Sequence, residues 1–119
     1  RIDLGLCVMT NDAEGPARAH LASVQALELF DLVIGSDSGF GAKPQAAPLL
    51  ALADKMDIPA AACVMVGDST HDLRAGRAAG MRTVAVLTGL AEAAELAPLA
   101  NAVLPDVSHL PAWISAQNR

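Results

Sequence analysis

Short, unbroken apolar runs alternate along this chain with stretches in which apolar residues recur every three or four positions. The unbroken runs are residues 2–9, 31–35, 62–66, 83–87 and 102–104, each bounded by polar or glycine-containing turns, and they predict strands covered on both faces. Between the first two, Pro16 suits the opening turn of a helix over residues 16–29, with Ala17, Leu21, Val24 and Leu27 on one face. Lys43-Pro44 opens the next helix, in which Leu49, Leu50, Leu52, Ala53 and Met56 are the apolar positions before the break at Asp57-Ile58-Pro59. A third helix is expected over residues 70–80, with Ser69 or Thr70 as its cap and Gly80 as its left-handed stop. A short helix around residues 91–96 and a last helical turn around residues 110–115 complete the alternation.

Strand and helix in strict succession, joined by mostly short connections, predict an α/β fold: a Rossmann-like, doubly wound parallel sheet with helices on both faces. Right-handed crossovers put the carboxyl ends of all its strands on one edge, which brings Thr10, the segment 36–43 and Asp68 toward a common crevice. Residues 1–119 form one domain, since no Pro-rich, Gly-rich or low-complexity tract interrupts them.

The most specific chemistry lies at Gly67-Asp68-Ser69-Thr70-His71-Asp72. Gly67 permits a tight turn, Asp68 projects from a strand's carboxyl end, and Asp72 follows one helical turn later. Two carboxylates in that relation suit Mg²⁺, which takes one or two of them and completes its shell with waters and substrate phosphate. The same residues are also ordinary turn and helix-start chemistry.

Composition narrows the function classes. With 53% hydrophobic residues the chain buries a core, built of aliphatic side chains because Phe30, Phe40 and Trp113 are its only aromatics. A net charge of −5 with scattered basic residues argues against nucleic acid. The longest apolar stretch, residues 58–66, is far too short to span a membrane, and no charged leader precedes an apolar targeting segment, so a cytoplasmic location is expected. Cys7 and Cys63 sit inside apolar runs without metal or redox spacing and read as buried free thiols. The chain opens on Arg1 and enters an apolar run at once, so a segment upstream is expected.

Taken together, three segments resemble the haloacid dehalogenase-like hydrolase superfamily, in its phosphoglycolate-phosphatase-like branch, and the likeness runs through essentially all 119 residues. Leu6-Cys7-Val8-Met9-Thr10-Asn11 is similar to the second motif of that family, Gly41-Ala42-Lys43-Pro44 to its third, and Gly67 to Asp72 with Ala75-Gly76-Arg77-Ala78-Ala79-Gly80 to its fourth. The resemblance implies a Mg²⁺-dependent phosphatase that transfers phosphate from a small, phosphoglycolate-like monoester to an aspartate and then to water. It implies that Thr10 and the Asn11 backbone amide bind phosphate, that Lys43 neutralises charge on phosphate and nucleophile, that Asp68 binds Mg²⁺, and that Asp72 supports the metal through water or hydrogen bonds.

The bland counterparts are a helix-capping Thr10, a solvated Lys43 and an Asp72 that satisfies helix-terminus amides. His71 reads as a surface helix residue, and His20 and His109 carry no role.

The family's first motif, Asp-x-Asp after an apolar strand, has no counterpart in the chain, nor has the helical cap that selects substrate. The resemblance places that strand at the sheet centre, so the domain is read as a partial core carrying motifs two to four, inactive in isolation, with its central strand and nucleophile supplied by an upstream segment or a complementary chain. In that case the strands ending near Thr10 and Val66 are not hydrogen-bonded to each other. Two other readings keep the fold: a haloacid or phosphonate hydrolase, which the carboxylate pair disfavours because dehalogenation needs no metal, and a non-catalytic phosphate-sensing or regulatory module.

Overall fold

A computed structural model describes residues 5–11, 13–25, 27, 30–35, 37–39, 41, 43 and 45–117. The elements are β1 (Cys7–Met9), α1 (Glu14–Ser23), β2 (Leu32–Ile34), α2 (Ala47–Lys55), β3 (Val64–Gly67), α3 (Thr70–Ala78), β4 (Arg82–Val86), α4 (Ala93–Leu96), β5 (Ala102–Leu104) and α5 (Leu110–Gln117), with single 3₁₀ turns before β3, after α4 and before α5. All strand pairs are parallel: β1 with β2, β3 with β4, and β4 with β5. They form a two-stranded and a three-stranded sheet, and among the described residues no ladder joins β1 to β3. The expected separation of these two strands is therefore observed, in an α/β fold whose described residues place no strand between them.

Packing holds the two sheets together. Met9 and Ile34 from one, Leu49 and Leu52 of α2, and Ala75 and Ala79 of α3 make a single apolar cluster, against which Cys7 and Met65 pack. Cys7 and Met9 lie on this face, so Val8, which alternates with them, points the other way, where it lines a cleft with Ala13, Pro16, Ala17, His20 and Leu21. Helices thus cover both faces, α2 and α3 on one and α1 on the other. A second cluster, Leu73, Ala85 and Leu96, joins α3 to β4 and α4.

Several element boundaries shift from those the sequence predicts, each for a local reason. α1 begins at Glu14 and stops at Ser23, well short of residue 29, because Gln25 takes a left-handed φ of 59° that no helix continues through. Val24 is consequently 58% exposed and does not join the packing face. α2 starts at Ala47 with Pro48 in its first turn, so Lys43 belongs to the preceding turn; Pro44 lies outside the described residues. Residues 60–62 form a 3₁₀ turn after Pro59, which moves the start of β3 to Val64. β4 runs one residue earlier than expected, and α5 extends to Gln117. Of the first predicted strand, Cys7–Met9 is extended and residues 1–4 lie outside the described set.

The helix predicted over residues 70–80 has the expected ends. The Ser69 hydroxyl caps it by accepting from the Asp72 amide at 3.3 Å. At the other end Gly80 adopts φ 80°, its N–H donating to Arg77 O at 3.1 Å while Met81 N–H donates to Gly76 O at 2.9 Å, the paired bonds of a Schellman stop. Cys7 and Cys63 are free, and both are half-buried instead of fully buried as expected. No described helix is long and apolar enough to cross a membrane.

Candidate active site

The order of strands reverses between β1 and β3, and the site forms at their carboxyl ends, where an open α/β sheet leaves a crevice. Lys43 spans it. Its Nζ donates to the carbonyl oxygen of Met9, the last residue of β1, at 3.0 Å, and to Asp72 Oδ1 on the first turn of α3. Both side chains of this ion pair are nearly buried, Lys43 at 11% exposure and Asp72 at 10%. The other carboxylate oxygen of Asp72 accepts the Asp68 backbone N–H at 3.2 Å. A continuous polar chain therefore runs from the end of β1 through Lys43 and Asp72 to the end of β3.

Each member is placed by local structure. Asp72 reaches Lys43 because Ser69 starts the helix three residues before it, and because Gly67 leaves room: a β-carbon at Gly67 would stand 2.2 Å from Asp72 Cβ and 2.5 Å from its Oδ2. Lys43 is held by its backbone as well as its ammonium. The Asn11 side-chain oxygen accepts Lys43 N–H at 2.8 Å, and the Asn11 amide nitrogen donates to Lys43 O at 3.1 Å. The sequence points only to a role for the Asn11 backbone and not to this clamp, because a lone Asn after a strand gives no sign of which distant backbone it will grip. Thr10 sits beside it, half-buried, its N–H continuing the β1–β2 ladder to Ile34 O at 3.0 Å.

Asp68 differs from Asp72. It is exposed, and no hydrogen bond or ion pair from a described residue engages its carboxylate. Its oxygens are therefore available to a cation, whereas those of Asp72 are taken by Lys43 and by the Asp68 amide. Among the described residues no group of three His, Cys, Asp or Glu side chains converges to cage a metal. A cation held by the one exposed carboxylate would take most of its shell from water or substrate oxygens.

The remaining candidates fall elsewhere. His71 is exposed on α3, as a surface position should be, and His109 is exposed near α5. His20 lines the open cleft of about 420 Å³ under α1, whose described lining also includes Thr10 and is otherwise apolar.

The chain matches the family model described as haloacid dehalogenase-like hydrolase over residues 2–86. It is 37% identical over 113 residues to a phosphoglycolate phosphatase of Rhodospirillum rubrum, an alignment covering 95% of this chain and 46% of that protein. Among solved structures it superposes with a TM-score of 0.90 on a haloacid dehalogenase-like protein of unknown function from Agrobacterium tumefaciens, at 24% identity, covering 100% of this chain and 57% of that one. A haloacid dehalogenase family hydrolase from Deinococcus radiodurans, solved with bound phosphate and sodium, matches with a TM-score of 0.85 and 26% identity, over 92% of this chain and 51% of its own. The chain thus spans about half the length of the proteins it resembles.

Proposed function

The chain belongs to the haloacid dehalogenase-like hydrolase family, and from that premise we propose that it carries motifs two to four of a Mg²⁺-dependent phosphatase acting on a small, phosphoglycolate-like monoester. The observation that supports this most is the convergence of Lys43, Asp72 and Asp68 at the reversal point of the sheet, with Thr10 and Asn11 beside them.

In this reading each residue has a separable task. Asp68, exposed and with no described residue bonded to its carboxylate, would be the direct ligand to Mg²⁺, and Asp72 supports the site by holding Lys43 and the Asp68 backbone in place. The bound metal supplies charge neutralisation for the phosphoryl oxygens. Lys43 offers a preorganised ammonium to the same oxygens, fixed by Met9 O and Asp72 so that little reorganisation is needed. Thr10 and the Asn11 amide bind the phosphate. The phosphoryl group passes to an aspartate on a strand lying between β1 and β3, supplied by an upstream segment or a complementary chain, as the P–O ester bond breaks and the substrate leaves as its alcohol; water then hydrolyses the aspartyl phosphate to inorganic phosphate and the free carboxylate. The unbridged β1 and β3 edges support that partner. The 119-residue chain by itself is expected to be inactive, and a cytoplasmic location fits a soluble metabolite substrate.

The test is hydrolysis of p-nitrophenyl phosphate by the full-length protein with Mg²⁺ and with chelator. Phosphate release should need Mg²⁺, and Asp68→Asn should abolish most of it. Undiminished turnover by that variant removes Asp68 from the mechanism.

A further inference from the structure

Outside the three motifs, a glycine backs onto the proposed metal ligand. Gly89 lies in the connection between β4 and α4, and a β-carbon built on it would stand 2.7 Å from Asp68 Oδ2, 2.8 Å from Cγ and 3.0 Å from Cβ. Its backbone is thus packed against the whole Asp68 side chain at a distance that only a glycine permits. The left-handed glycines are Gly39, Gly41 and Gly80, and Gly89 is not one of them, so its lack of a side chain answers to space and not to backbone conformation.

The wall is itself exposed, Leu90 fully so, and is tied down at its two ends. At its start, Leu87 N–H donates to Leu104 O at 3.1 Å and to Pro105 O at 3.2 Å. At its end, Glu92 and Glu95 form a reciprocal capping box that opens α4. Asp68 has no such anchor on its carboxylate, since no described residue bonds to it. When a methyl group is added at position 89, the exposed side chain of Asp68 therefore yields before the loop does.

We propose that Gly89 is a positioning residue: its bare backbone forms the wall against which the Asp68 carboxylate is set for cation binding. This rests on the reading of Asp68 as the Mg²⁺ ligand, and it assigns to the β4–α4 loop a part in cation binding that the motifs do not contain.

The experiment measures Mn²⁺ binding by electron paramagnetic resonance, the Mg²⁺ dependence of phosphate release, and the urea midpoint, for full-length wild type, Gly89→Ala, Asp68→Asn and Gly15→Ala. Gly15 is an exposed helix position where an added β-carbon would meet nothing within 4 Å, and serves as the glycine-to-alanine control. Gly89→Ala is expected to weaken Mn²⁺ affinity, and to raise the Mg²⁺ concentration for half-maximal activity, by about tenfold or more with the urea midpoint unchanged. Gly15→Ala should bind Mn²⁺ as wild type does. Wild-type Mn²⁺ affinity in Gly89→Ala, with binding lost in Asp68→Asn, overturns the positioning role alone. Wild-type affinity in Asp68→Asn overturns the metal reading beneath it. If Gly89→Ala is destabilised, the same change in an Asp68→Gly background should cost nothing, because the clashing side chain is gone; a persistent cost puts the clash elsewhere and overturns the proposal.

Discussion

Removing the Asp72 carboxylate separates the two roles that a nearly buried ion pair can play. In wild type, Asp72 accepts from the Lys43 ammonium with one oxygen and from the Asp68 amide at 3.2 Å with the other. Asp72→Ala strands a Lys43 whose side chain is 11% exposed, with the Met9 carbonyl as the one remaining partner among these bonds, and leaves the Asp68 N–H unpaired. Breaking a buried pair from one side costs about 3–5 kcal/mol, because the surviving charge keeps its desolvation penalty. Asp72→Asn should cost less, as its side-chain oxygen still serves the Asp68 amide. The double variant Lys43→Met, Asp72→Leu removes both charges and should fall within about 1–2 kcal/mol of wild type while being inactive, since an apolar pair of similar volume avoids desolvation altogether. Urea unfolding of the full-length proteins, followed by far-ultraviolet circular dichroism, gives all four free energies. A loss below about 1 kcal/mol for Asp72→Ala is the behaviour of a solvated surface pair and would refute the argument that Lys43 is held in a desolvated site.

Two further outcomes concern groups outside the Lys43–Asp72–Asp68 chain. The Ser38 hydroxyl donates to Glu14 at 2.7 Å and, with Arg18, holds that carboxyl below its ordinary value of 4.5. A depressed folded-state value stabilises above the unfolded-state value and is lost as pH falls through it, so Ser38→Ala should lower the thermal midpoint more at pH 7 than below pH 4.5, where the lost bond from Gly35 N–H to the same hydroxyl, at 2.9 Å, still costs stability; an equal gap at both pH values contradicts the linkage. Burial, aided by the charge of Asp31, pushes the Cys7 thiol up, and burial does the same to Cys63, whose Sγ–H also donates to Pro59 O at 3.4 Å. Both should therefore be alkylated by iodoacetamide more slowly than a free cysteine at the same pH, as followed by mass spectrometry, and equal rates would show that neither thiol is shielded.

Much of this molecule was legible in its linear pattern. Continuous apolar runs such as 83–87 mark strands covered on both faces, and Ser69 and Gly80 bracket α3 because capping and left-handed geometry are local properties of the residues concerned. The separation of Thr10 from Val66 in the sheet followed from the family's topology once its motifs had been matched.

Distance in sequence hid the rest. That Asn11 clamps the Lys43 backbone, that Asp72 is spent on Lys43 while the described residues leave the Asp68 carboxylate open, and that Gly89 backs onto Asp68 are contacts across 32, 29 and 21 positions, created only when four connections meet at one edge. Residue type and spacing choose the local conformation, whereas the partner of a polar side chain is chosen by which backbone the packed core of Met9, Ile34, Leu49 and Ala75 brings within 3 Å of it.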